Sequence, residues 1–302
     1  MFKVSVIIPI YNVSSFLKKA VESALAQPEV DEVILIEDGS KDDSLKVCRN
    51  LKAEYNNIVL LRHPEGENKG VGHSRNLGIV KAKNEYIAFL DADDWYLPDR
   101  FVEDKILFKN TSIMATFSLS TIQYPDGSNE LFGCQEDFLN TLQSENVKEV
   151  YCHILKGDII LGHTNANTFR RQVFDDVGMF DPRLPLHQDS ELWFRVARKY
   201  LFFPSQLRKP VSVARRHKSN RIIHRNTKSL LKMLFVWIDN IGINNLYDCE
   251  YRSLIYFFAR SQTNSIRINF FRKILYKIWR ISLLPIRKVF AQLFYKIMAK
   301  KF

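Results

Sequence analysis

Tyr86-Ile87-Ala88-Phe89-Leu90-Asp91-Ala92-Asp93-Asp94-Trp95 is the stretch that decides how this chain reads. A short apolar run of strand character ends abruptly in three carboxylates within four positions. Residues i and i+2 of an extended chain share a face, so Asp91 and Asp93 point the same way and can serve one ligand. Carboxylates so crowded repel and raise one another's pKa, and a bound divalent cation relieves both effects. A few oxygen ligands suit Mg²⁺ or Mn²⁺, completed by waters and substrate phosphates. A solvated acidic turn after a strand is the plainer reading of the stretch taken alone, so the flanking sequence has to decide.

Upstream, strands and helices alternate. Val4 to Pro9 is a β-rich run closed by a proline. Ser14 or Ser15 then starts a helix on which Phe16, Ala20, Ala24 and Leu25 recur until Pro28. Glu32 to Ile36 reads as a second strand, Lys41 to Tyr55 as a helix, Asn57 to Leu61 as a third strand and Val71 to Ala82 as a third helix. Units of about 30 residues in this order imply parallel pairing through crossovers, hence a doubly wound α/β sheet with flanking helices. Ligands of such sheets sit beyond the carboxyl ends of the strands. Pro9 to Asn12, Glu37 to Ser40, His63 and Asp91 to Asp94 collect there. Thr111 to Gln123 reads as strand, with a turn at Pro125-Asp126-Gly127-Ser128.

The 302 residues, 46% hydrophobic and 25% charged, suffice for one large domain or two modest ones. The net charge of +11 belongs to the C-terminal part, because residues 251–302 hold twelve Lys and Arg and no Asp or Glu. Cys48, Cys134, Cys152 and Cys249 are far apart with no CxxC pair, so the expectation is no disulfide, no zinc knuckle and a reducing, cytoplasmic compartment. A strand beginning at Val4 leaves no room for a signal sequence, and the absence of a run of about 18 apolar residues argues against a spanning helix.

A second informative stretch follows Gly157: Thr168 to Arg171, Val177-Gly178-Met179-Phe180-Asp181, and His187-Gln188-Asp189-Ser190-Glu191-Leu192-Trp193. Leu192, Val196 and Tyr200 share a helical face, which puts Asp189 at a helix start, where the dipole favours a carboxylate. An ordinary helix-capping acid would satisfy the same pattern.

Taken in order, Val6-Ile7-Ile8-Pro9-Ile10-Tyr11-Asn12, Asp38-Gly39-Ser40, Asn68-Lys69-Gly70, Ser74-Arg75-Asn76-Leu77-Gly78-Ile79, Asp91-Ala92-Asp93-Asp94, Gly178 to Asp181, Asp189 and Arg216-His217 resemble the family 2 glycosyltransferases of the GT-A fold. These are inverting enzymes that use nucleotide-diphosphate sugars. The similarity runs from Val4 to about Asn220. It implies a mostly parallel Rossmann-like sheet in a catalytic domain over 1–225, followed by a helical extension over 226–302. It also implies that Pro9 and Tyr11 wall the nucleobase, that Asn12 belongs to the nucleotide-sugar site and that Asp38 accepts a hydrogen bond from the base. Arg75 would meet the diphosphate and Asp91 the ribose or the water shell of the metal. Asp93 would ligate Mn²⁺ or Mg²⁺ with His217 as a further ligand, and Asp189 would be the general base. The sequence departs from the family pattern at Glu37, at Gln188, where an acid commonly precedes the base, and at His73-Ser74. Trp95 either lines the sugar site or packs in the core.

The implied reaction moves a sugar, UDP-linked in the first instance, to a hydroxyl of a glycan or lipid-linked acceptor. A polyprenyl-phosphate sugar transferase and a non-catalytic nucleotide-sugar-binding scaffold are the alternatives. Past Pro285, Val289, Phe290, Leu293, Phe294, Ile297 and Met298 recur among lysines, as Phe270, Phe271, Ile274, Leu275 and Ile278 do before it. Such basic amphipathic helices suit an anionic membrane surface on the cytoplasmic side, with a helical subdomain or dimer contact as the other reading. Apolar stripes this broad argue against nucleic acid as the partner.

Overall fold

Alternation along the first strands builds a sheet that is apolar on both faces. In β1 (Val4–Ile10), Ile7 faces one core while Val4, Val6, Ile8 and Ile10 face the other. In β2 (Val30–Glu37), Ile34 and Ile36 are likewise opposed by Val33 and Leu35. A sheet buried on both sides is the parallel, helix-covered kind. In the computed structural model, which describes residues 1–133, 146–217, 220, 226–261 and 284–302, the helical cover is α1 (Ser14–Leu25) and α2 (Ser44–Glu54) on one face and α3 (Val71–Lys81) on the other. Gly78 lets α3 lie directly on β1, since a Cβ there would meet Ile7 Cγ2 at 2.5 Å.

β1 pairs in parallel with β2 and with β4 (Tyr86–Phe89), and β2 pairs in parallel with β3 (Ile58–Arg62). The chain therefore runs outward to β3 and returns to the opposite side of β1. That reversal opens a crevice at the carboxyl ends of β1 and β4, where a doubly wound sheet binds its ligand. β9 (Asn167–Arg170) is inserted antiparallel between β4 and β6 (Ala115–Phe117), and β10 (Phe202–Pro204) closes the seven-stranded sheet in the order β10-β6-β9-β4-β1-β2-β3. The expected α/β, mostly parallel architecture is present.

The stretch 111–123 is not one strand. Ser118 N donates to Ala166 O and Leu119 N to Gln206 O, which turns the chain out of the main sheet. The remainder, β7 (Ser120–Gln123), joins a second sheet in the order β5-β11-β7-β8 with β5 (Trp95–Tyr96), β11 (Ser212–Arg215) and β8 (Asn129–Phe132). The expected turn closes the β7–β8 hairpin, with Tyr124 N donating to Ser128 O and Gly127 at φ +84°. Because β11 pairs with β5, five residues past Leu90, the second sheet brings the 215–217 segment back to the acidic cluster.

Four smaller helices complete the middle of the chain: α4 (Val102–Leu107), α5 (Val147–Lys156), α6 (Gln172–Val177) and α7 (Gln188–Lys199). Then follow α8 (Thr227–Ile241), α9 (Asp248–Ser261) and α10 (Leu284–Ala299). Leu231, Leu234 and Trp237 of α8, Leu254 of α9 and Phe294 of α10 share one buried cluster with Ile7, Phe89 and Trp193. The amphipathic pattern over 270–278 lies outside the described residues. On α10, Ala291, Phe294 and Met298 face the core, whereas Ile286, Val289, Leu293 and Ile297 are exposed. Among the described residues no helix is long and apolar enough to cross a membrane.

One expectation is corrected. Cys152 on α5 and Cys249 on α9 form a disulfide with Cα atoms 5.7 Å apart. A pair 97 positions apart has no spacing signature, and only the packing of the two helices reveals it. Cys48 is a buried thiol, pushed up to about 12 by burial and then by the nearby Glu37 charge.

Candidate active site

The ends of β1, β2 and β4, the start of α7 and the segment after β11 converge on a cavity of about 730 Å³. Pro9, Tyr11, Asn12, Asp38, Arg75, Asp91, Asp93, Asp189 and His217 all line it. A second cavity of about 500 Å³ at the start of α3 shares Tyr11, Val71, Pro185 and Leu186 with it but contains none of the acidic residues.

At the β1 and β2 ends, Asn12 adopts φ +53°, and its side chain accepts from Lys41 N at 2.8 Å while its own N–H reaches Ser40 Oγ at 3.1 Å. Asn12 thus shapes the 38–41 turn. Gly39, at φ +73°, is required there because a Cβ would lie 2.5 Å from Gly66 O. Asp38 is buried and accepts from Lys69 N at 2.7 Å and Gly70 N at 2.9 Å. It therefore fastens the 69–70 loop to the sheet while lining the cavity. The unusual Glu37 accepts from Ser40 N at 2.5 Å and from Arg62 Nε at 2.7 Å, so its carboxylate bridges this turn to β3.

At the β4 end, Asp91 accepts from Arg75 Nη2 at 2.6 Å. Arg75 is itself buried, and its Nε has no hydrogen-bond partner. Its guanidinium packs over the Phe89 and Phe180 rings while the residue lines the cavity, which holds a fork of charged donors beside any anionic ligand. Asp93, 124 positions before His217, accepts from His217 Nε2 at 2.7 Å and from Asn220 Nδ2 at 3.0 Å. Asp94 is 4% exposed and accepts from Arg215 N and Asn165 Nδ2, both at 2.7 Å. Burial pushes the Asp94 carboxyl well above the usual carboxylate range, and the charges of Asp93 and Asp91 push it further. His163 lies close by, its pKa lowered by burial, so the imidazole stays neutral at pH 7. Ligand atoms of Asp91, Asp94 and His163 lie within 4.8 Å of one another.

These residues fit a divalent cation. Three carboxylates and two imidazoles form an oxygen-rich donor set of the kind that holds Mg²⁺ or Mn²⁺. Asp93 and His217 form one candidate ligand pair, and Asp91, Asp94 and His163 form the other. Both oxygens of Asp94 accept hydrogen bonds, and Asp93 Oδ2 accepts two, so a cation at either group displaces existing bonds. A cation held there would supply charge neutralisation to a bound diphosphate.

Across the cavity, Asp189 stands at the start of α7. Ser190 N donates to its Oδ1 at 2.8 Å and Thr164 Oγ1 to its Oδ2 at 3.4 Å. Gln188 also lines the cavity, 8% exposed, with an unpartnered Oε1. Trp95 does not line it; Lys19 Nζ lies 3.2 Å from the centre of the Trp95 ring and Arg215 5.0 Å. Nothing in the local sequence points to Asn165, which is fully buried and whose Oδ1 also accepts from Asp91 N at 3.0 Å. His163 and Asn220 were missed as well. Their only signal is position, just before an inserted strand and just after β11, and single residues in such loops resemble any polar linker.

A mostly parallel seven-stranded sheet with flanking helices and an aspartate cluster at its strand ends is the architecture of the GT-A fold. Residues 5–130 match the family model described as glycosyl transferase family 2, and that segment belongs to this family. Uncharacterized glycosyltransferases of Rickettsia felis and Rickettsia bellii are 30% and 32% identical over 201 residues, 65% of this chain. The match covers 31% and 27% of their lengths, so the chain spans about a third of these curated relatives. The succinoglycan biosynthesis protein ExoU of Rhizobium meliloti is 36% identical over 124 residues, 37% of this chain and 36% of that protein. The solved structure of S. aureus TarS 1-349 in complex with UDP-GlcNAc shares the fold with a TM-score of 0.62 at 19% identity, over 85% of this chain and 72% of that one.

Proposed function

We propose that this chain transfers a sugar from a nucleotide-diphosphate sugar, UDP-linked in the first instance, to a hydroxyl of a cell-surface glycan or lipid-linked acceptor, with inversion. The observation that carries the reading is the meeting of Asp93, His217 and Asp189 on one cavity from points 124 and 28 residues apart in the chain. Tyr11 offers a ring to the nucleobase and Arg75 its guanidinium to the diphosphate. Sugar hydroxyls are poor nucleophiles, so Asp189 takes the acceptor proton as the hydroxyl attacks the anomeric carbon opposite the leaving diphosphate. Such a base typically contributes about 10²- to 10⁴-fold. A single displacement of this kind inverts the anomeric centre through a transition state with oxocarbenium character. UDP is favoured by the UDP-GlcNAc complex of the TarS neighbour, and a polysaccharide acceptor by the succinoglycan relative.

The test is a thermal shift panel with UDP-, GDP- and dTDP-sugars, each with Mn²⁺, Mg²⁺ or EDTA, on the parent and on Asp93→Ala. Ligand binding to the native state raises Tm by mass action. One nucleotide should stabilise the parent only with metal, and Asp93→Ala should lose that shift. No metal-dependent shift with any nucleotide would sink the reading.

The same proposal places the chain on the inner face of the cell membrane. Ile286, Val289, Leu293 and Ile297 form an exposed stripe on α10 beside Lys288, Lys296, Lys300 and Lys301, which matches an anionic lipid surface in both apolarity and charge. Flotation with phosphatidylglycerol vesicles should be lost in Val289→Glu/Leu293→Glu; equal flotation of that variant rejects the surface. The Cys152–Cys249 bond stands against a reducing compartment, where such bonds are rare. Four titratable thiols in protein taken from its own cells would support the cytoplasmic placement, and two would overturn it.

A further inference from the structure

We propose that His187 is a positioning residue which, held by Ser229 of α8, fixes the turn that delivers Asp189 into the cavity. The C-terminal helices are then part of the catalytic apparatus. The inference rests on the reading of Asp189 as the base.

His187 caps α7 with φ +63° and ψ +15°, a left-handed conformation that is uncommon for a residue with a side chain. Such a conformation persists only where surrounding structure enforces it. Here the enforcement is visible. His187 Nε2 lies 3.1 Å from Ser229 Oγ. Ser229 sits at the third position of α8 in a reciprocal cap with Asn226: its hydroxyl donates to Asn226 O at 2.9 Å and accepts from Asn226 N at 3.1 Å. With the hydroxyl proton given to Asn226, His187 must donate from Nε2, which sets the tautomer as well as the ring position. The carbonyl of His187 then accepts from Glu191 N at 3.0 Å, the first backbone bond of α7, and the three residues between, Gln188, Asp189 and Ser190, are all on the cavity wall.

A second tie comes from the far end of α8, where Asn240 Nδ2 donates to Glu191 Oε1 at 2.8 Å and to Asp181 Oδ2 at 3.1 Å. Helix α8 therefore grips the first turn of α7 at the residue before the Gln188-Asp189 pair and at the residue two beyond it. Displacing a catalytic group by about 1 Å costs on the order of 10²-fold in rate. The grip is of the kind that prevents such a displacement.

The experiment uses the full chain with Mn²⁺. It measures UDP release from UDP-glucose, UDP-galactose and UDP-N-acetylglucosamine with water as acceptor, beside UDP affinity by calorimetry. Ser229→Ala and His187→Gly should slow UDP release by about 10- to 100-fold with UDP affinity unchanged. Asn226→Ala removes the same helix cap and should lose similar Tm, yet keep its rate, because the Asn226 carbonyl still orients Ser229. His187→Gln, whose amide nitrogen falls near the place of Nε2, should recover most of the rate. Parental rates in Ser229→Ala and His187→Gly, or an equal loss in Asn226→Ala, overturn the proposal. Asp189→Asn, run alongside, separates the two ideas: if it keeps the parental rate, the base assignment itself falls. Hydrogen exchange needs no turnover. Ser229→Ala should open the amides of Ser190 and Glu191 far more than Asn226→Ala does, and equal opening also overturns the proposal.

Discussion

Replacing Asn165 with alanine tests whether a neutral, buried amide organises the acidic cluster. Its side chain accepts from Asp91 N and donates to Asp94 Oδ2, and no exposed surface lets bulk water take over either bond. Leaving the Asp91 N–H unpaired costs about 1–3 kcal/mol, and withdrawing a donor from a buried carboxylate costs about 1.5–3 kcal/mol. Together the loss is on the order of 3–5 kcal/mol. At roughly 2–4 °C per kcal/mol for chains of this size, Tm in EDTA should drop by about 6–20 °C. The deficit should shrink in UDP with Mn²⁺, because positive charge at the cluster replaces the donor that Asp94 has lost. Differential scanning fluorimetry of parent and variant in both conditions measures this directly. A drop below about 2 °C in EDTA would refute the claim that the amide holds the cluster together.

Asp189→Asn should lower turnover by about 10²- to 10⁴-fold without weakening UDP binding; a rate near the parental value would point instead to an acceptor phosphate that needs no base, as in polyprenyl-phosphate sugar transfer. Mn²⁺ affinity should rise with pH. The folded, metal-free Asp94 carboxyl has a raised pKa and so retains a proton above the ordinary carboxylate range, which a cation has to displace. Calorimetry in two buffers of different ionisation heat should show proton release, and its absence would be a refutation. Cys249→Ser should cost about 2–4 kcal/mol in urea unfolding under oxidising conditions and nothing under reducing ones, since the bond closes a long loop; an unchanged midpoint in the oxidised protein would show that the bond contributes nothing.

The first half of the fold was legible because each strand there ends in a residue that punctuates it. Asp91, Gly39 and the Asn57 turn mark boundaries that follow from local chemistry, and the sheet order follows from the alternation of strand and helix. The 111–123 stretch was not legible, because what splits β6 from β7 is a pair of bonds to Ala166 and Gln206, residues far along the chain. The same contrast runs through the site. Asp91, Asp93 and Asp189 announce themselves by charge at an element's end. Asn165 and His163 act only because antiparallel β9 carries them to the β4 terminus, a placement no local pattern encodes. Cys152 and Cys249 are ordinary isolated cysteines until α5 and α9 pack together.

The bond between those two cysteines closes a covalent ring. Inside the ring lie His163, Asp189, the paired grip of α7 and α8, and His217; outside and before it lie Tyr11, Asp38, Arg75, Asp91 and Asp93. The two halves of the cavity wall thus belong to separate lengths of chain, and the later one is stapled to itself. Recombination between relatives at positions 152 and 249 would exchange Asp189, its supporting helices and His217 as a single cassette, so that any incoming segment has to restore the His217 contact to Asp93.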